Sequence, residues 1–75
     1  MPDFTKVPNG KNYTIVKITG GRRASANLEA LGVIPGAVIT KVSSNFGGGP
    51  IVLKIGKTQF AIGRGIASKV IVEEK

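Results

Sequence analysis

A chain of 75 residues makes one small domain, able to bury only about 60–65% of the surface its unfolded form exposes. It contains no cysteine and no histidine, which excludes disulfides, thiolate or imidazole metal sites, and catalysis built on a histidine base. Eleven Lys and Arg against four Asp and Glu give a formal charge of +7; scattered along the chain, that excess favours nucleic acid, an acidic protein face or an anionic membrane surface as neighbour.

Residues 1–11 carry two prolines and the turn signal Pro8-Asn9-Gly10, and are expected to form an extended arm ahead of a domain over 12–75. The arm lacks the continuous apolar core of a signal peptide. No apolar run approaches the ~20 residues that span a bilayer, so the expectation is a soluble chain. Tyr13 to Ile18 is rich in β-branched residues and reads as the first strand. Gly20-Gly21 breaks it. From Arg22 to Leu31, the apolar residues Ala24, Leu28 and Leu31 recur at helical spacing, with Arg22, Arg23, Ala26, Glu29 and Ala30 on the opposite face. Gly32 stops that helix in the left-handed conformation that costs glycine little. Pro35-Gly36 fits the centre of a type II turn.

Ala37 to Val42 is the next expected strand, and Ser43 to Pro50 a loop. Ile51, Leu53 and Ile55 alternate with Val52 and Lys54, the period of a half-buried strand. Gly56-Lys57 suits a type II′ hairpin turn into a strand that holds Phe60 and Ile62. Residues 63–68 read as a helical turn, and Val70-Ile71-Val72 as the closing strand. The fold class is therefore mainly β: a small, partly open five-stranded barrel with one short helix inserted after the first strand.

Chemistry that would make this chain an enzyme is missing. Its carboxylates, Asp3, Glu29, Glu73 and Glu74, form no nucleophile–base arrangement, and its lysines are expected to be solvated. Gly56-Lys57-Thr58 lacks the glycine a phosphate loop requires at position 51, which is isoleucine, and sits in a hairpin. Asn12-Tyr13-Thr14 matches a glycosylation sequon without a secretory signal. No catalytic residue, cofactor or metal ligand is expected. A small basic barrel that binds nucleic acid is the alternative reading, but such sites need aromatic platforms. Phe4, Tyr13, Phe46 and Phe60 are the only aromatics and do not cluster in the sequence.

Read in order, Ile18-x-Gly20-Gly21, then Asn27-Leu28-Glu29-Ala30-Leu31-Gly32-Val33-Ile34-Pro35-Gly36, then Gly48-Gly49-Pro50-Ile51 and Ala67-x-Lys69-Val70-x-Val72 resemble the ferrous iron transport protein A (FeoA) family. The resemblance runs from Tyr13 to Val72. It implies an SH3-like barrel over residues 12–75 without enzymatic activity, working in the bacterial cytoplasm. It also implies a partner, the membrane ferrous iron transporter FeoB, through its cytosolic part. Ala26-Asn27 stands where that family commonly carries an arginine-leucine pair.

For a partner surface, the outer helix face offers Arg22 and Arg23 beside the small residues Ala26 and Ala30. The competing reading is a solvated helix face. Phe46 in its glycine loop is a candidate anchor, exposed aromatics being frequent anchors, or else folds back over the barrel. Arg64 supplies a further cation. Leu28, Leu31, Val33 and Ile34 are expected in the core or in support of the turn.

Overall fold

The computed structural model describes residues 1–44 and 48–75. β-Branched and aromatic residues crowd Asn12–Ile18, and this segment is strand β1, with Tyr13 and Ile15 turned inward at the two-residue period of a pleat. Helix α1 (Gly21–Ala30) follows, then β2 (Val38–Ser44), β3 (Ile51–Ile55), β4 (Thr58–Ile62), the short helix α2 (Arg64–Ala67) and β5 (Val70–Glu74). The five strands form one antiparallel sheet in the order β4-β3-β2-β1-β5. Register shifts between β1 and β5 and between β2 and β3 bend the sheet around its core. The result is the SH3-like, partly open barrel that the sequence implied. Ser43 and Ser44 belong to β2 instead of the loop expected from residue 43 onward.

The end of α1 is fixed by Leu28, its last buried residue, and the glycine four positions later. Val33 N–H donates to Leu28 O at 2.9 Å and Gly32 N–H to Glu29 O at 2.9 Å, the paired bonds of a Schellman stop. Gly32 holds the left-handed position with φ of +84°. Val33 and Leu28 then meet in the core, at 0% and 2% exposure. This corrects the helical-face expectation for Leu31, which is 47% exposed; Ile34, expected in the core or in support of the turn, is 43% exposed. Leu31 is the cap residue, with φ of −95° and ψ of 0°, so the helical projection that aligned it with Ala24 and Leu28 no longer applies. The inward position passes to Val33.

Ile34 to Ala37 closes as the expected type II turn, with Gly36 at φ of +91° and Ala37 N–H donating to Ile34 O at 3.0 Å. The same turn is stitched to β1, Gly36 N–H donating to Ile15 O at 2.8 Å and Ile15 N–H to Ala37 O at 2.9 Å. At the β3–β4 hairpin Gly56 has φ of +57°, while no described residue other than glycine has a positive φ. That pattern fits type II′ and not I′, which needs two positive values.

The N-terminal segment is packed into the barrel. Phe4 is fully buried and Val7 nearly so. Asp3 bridges to Ile71, Phe4 N–H donates to Val70 O at 2.9 Å, and Val72 N–H donates to Pro2 O at 3.0 Å. Tyr13 reaches back, its hydroxyl donating to Pro8 O at 2.6 Å, and meets Phe4 edge to face at 6.3 Å. One lysine overturns the expectation of solvated lysines: Lys41 is 2% exposed. Its ammonium donates to Val7 O at 2.7 Å and Thr5 O at 3.3 Å and lies 5.7 Å from the Phe4 ring centre. The alternation of β2 sends Ile39 and Lys41 inward together, and the carbonyls of the arm receive the charge.

Candidate partner-binding surface

At about 100° per residue around a helix axis, Arg22, Ala26, Ala30 and Arg23 fall within one arc of about 100°. All four are exposed. Ala24 and Leu28, the buried residues of α1, project to the other side, so the sequence-predicted face is one surface. It carries two cations at the start of the helix, which has no acidic residue in its first turn and no side-chain cap. Cations at this end oppose the helix dipole, at about 0.3–1 kcal/mol each. Local helix stability therefore does not account for them.

The glycine pair ahead of the arginines has its own reason. Gly20 and Gly21 have φ of +88° and +85°, and a Cβ on Gly20 would lie 2.6 Å from Cδ of Lys69. Lys69 thus packs its stem across the head of α1 and adds a third cation to that end. Past the other end of the helix, Leu31 and Ile34 are exposed apolar residues. The sequence reading expects both in the core or in support of the turn, and not at the surface. The signal was present in the glycine after Leu31, because a Schellman stop moves the inward apolar position on to the residue after that glycine.

The remaining candidates are not residues of α1. Arg64 opens α2, half-buried, beside Gly48, and its charge is felt by Lys41. It does not join the helix face in one element. Phe46 lies outside the described residues. Burial, then the Arg64 charge, hold the Lys41 ammonium below the ordinary lysine range against the opposing pull of Asp3. Asp3 is itself held below the ordinary aspartate range. Burial pushes it up, and bonds from the Thr5 hydroxyl and N–H, with the charges of Lys6 and Lys41, outweigh that. Among the described residues no group of three or more His, Cys, Asp or Glu could hold a metal ion, and no helix is long and apolar enough to cross a membrane.

A partly open five-stranded barrel with an inserted helix, and with a surface of cations and small apolar side chains, defines an SH3-like module. The FeoA domain model matches residues 4–74, and the chain belongs to the FeoA family. Among solved structures it is similar to an iron uptake regulatory protein (FeoA), at 34% identity and a TM-score of 0.89, covering 99% of this chain and 96% of that one. It is also similar to iron(II) transport protein A from Clostridium thermocellum, at 25% identity and a TM-score of 0.87, covering 96% of this chain and 44% of that one. The repressor ScaR with bound Zn²⁺ shares the fold, with a TM-score of 0.90 at 15% identity over 37% of its own length and 100% of this chain. A comparison with curated proteins finds no match.

Proposed function

We propose that this chain serves ferrous iron uptake as a cytoplasmic, non-catalytic binding module that acts by contact with the cytosolic part of the membrane ferrous iron transporter FeoB. Membership of the FeoA family supports the connection to iron uptake. The observation that carries the contact is the outer face of α1. Arg22 and Arg23 stand where an acid would stabilise the helix, beside Ala26 and Ala30, which let a partner backbone approach closely. Leu31 and Ile34, just past the helix, add exposed apolar area. The occupant this favours is an acidic surface with an apolar margin. Phe46 and Arg64 are proposed as supplementary contacts.

The face is tested by the double variant Arg22→Glu with Ala26→Glu, titrated against the purified cytosolic domain of the transporter. Both positions are exposed, so the fold is expected to persist, and an acid in the first turn should raise stability by about 0.3–1 kcal/mol. Binding should fall by about tenfold or more, since like charges across an interface are costly. A folded double variant that binds as tightly as the parent would reject this face.

A further inference from the structure

The two edges of the sheet are treated differently. The β5 edge is covered by residues 2–4, through the Asp3 bridge to Ile71 and the bonds Phe4 N–H to Val70 O and Val72 N–H to Pro2 O. The β4 edge pairs only with β3, and among the described residues no other strand or backbone hydrogen bond occupies its outer side. The register fixes which groups are free. Ile55 pairs with Thr58 across the two-residue turn, and such flanking pairs exchange both bonds. Thr58, Phe60 and Ile62 therefore turn their backbone groups toward β3, and Gln59 and Ala61 turn theirs outward.

Sheet edges are normally blunted by charge, proline or a bulge. The β4 sequence Thr-Gln-Phe-Ala-Ile has neither charge nor proline, and its pairing with β3 runs without a register shift. The hairpin that carries β4 is charged in one sense: residues 51–62 hold Lys54 and Lys57 and no Asp or Glu. Lys54, opposite Gln59, and Lys57, in the hairpin turn, are both exposed.

We infer that the β4 edge is a strand-addition site for an extended acidic segment of a partner protein. The backbone of Gln59 and Ala61 supplies the hydrogen bonds of a sixth strand. Phe60, half-buried against the core, faces inward and selects an apolar residue opposite it. Gln59, Ala61 and Lys54 lie on the other face, where acidic residues of the incoming strand come within reach of Lys54 and Lys57. The recognised pattern is thus alternating acidic and apolar. A second copy of the chain fits the edge less well, because it brings together two bodies of +7 each. This site rests only on the reading that the chain works by contact. The edge and the helix face respond to different substitutions, so loss of one leaves the other standing.

The test is an NMR titration of the full chain, at low salt, with a capped peptide alternating glutamate and valine. A lysine–valine peptide serves as control. The amides of Gln59 and Ala61 should shift and exchange with solvent about tenfold more slowly, the glutamate peptide should show contacts to the Phe60 ring, and the lysine peptide should do neither. Ala61→Pro should abolish these effects without unfolding the sheet, because the lost N–H points away from β3. Lys54→Glu with Lys57→Glu should weaken binding by about tenfold. No response at millimolar peptide would overturn the proposal. So would shifts confined to α1, an equal response to the lysine peptide, or Gln59 and Ala61 protected by self-association before peptide is added.

Discussion

Lys41 places its ammonium inside the barrel because the arm brings two carbonyl oxygens and an aromatic face to meet it. Removing it leaves those carbonyls without their donor and a void where the stem packed, so Lys41→Ala should cost about 2–4 kcal/mol in chemical denaturation. The pH dependence has a definite sign. Burial and Arg64 lower the folded-state proton affinity of Lys41, so between its lowered value and the ordinary lysine range the unfolded chain binds more protons. This residue's contribution to stability therefore rises with pH across that window. Denaturation of the parent against Lys41→Met should show the extra rise in the parent alone; identical alkaline limbs would contradict it. None of this was legible in the sequence. The β2 alternation is too mixed to name a buried face, and the acceptors of Lys41 come from residues more than thirty positions away.

The helix and its stop were legible because their signals are local. Gly32 and Pro35-Gly36 each demand a backbone conformation that only a few residue types provide, and all three act within a few positions of the residues they constrain. The same passage shows the limit of periodicity. A spacing of i, i+4, i+7 assigns Leu31 to the core only if the helix still runs at residue 31, and it has already ended at Ala30. Leu28→Ala should cost about 2–5 kcal/mol, by emptying a filled core position. Leu31→Ala, at a site 47% exposed, should stay within about 0.5 kcal/mol of the parent. Thermal melts of the two variants side by side check the assignment. Equal losses would place Leu31 in the core after all. Of the candidate partner residues, the helical four were found together because one element carries them; Arg64 could not be placed relative to them before the strands were paired.

At the scale of the whole molecule, the strand pattern sufficed for the barrel, since short alternating strands separated by glycine turns have few ways to bury one face. The arm was the exception. Its segment lacks a periodic pattern, yet Phe4 is among the most buried of the described residues, held by pairing with β5 that only the assembled sheet provides. Charge is likewise a whole-molecule property. A net charge of +7 favours acidic partners and makes association with them sensitive to ionic strength. Titration calorimetry of the intact chain into the transporter's purified cytosolic domain, repeated across salt concentrations, tests the contact itself. Saturable binding that weakens steadily as salt is added is the predicted result; absence of any saturable binding at low salt would contradict it.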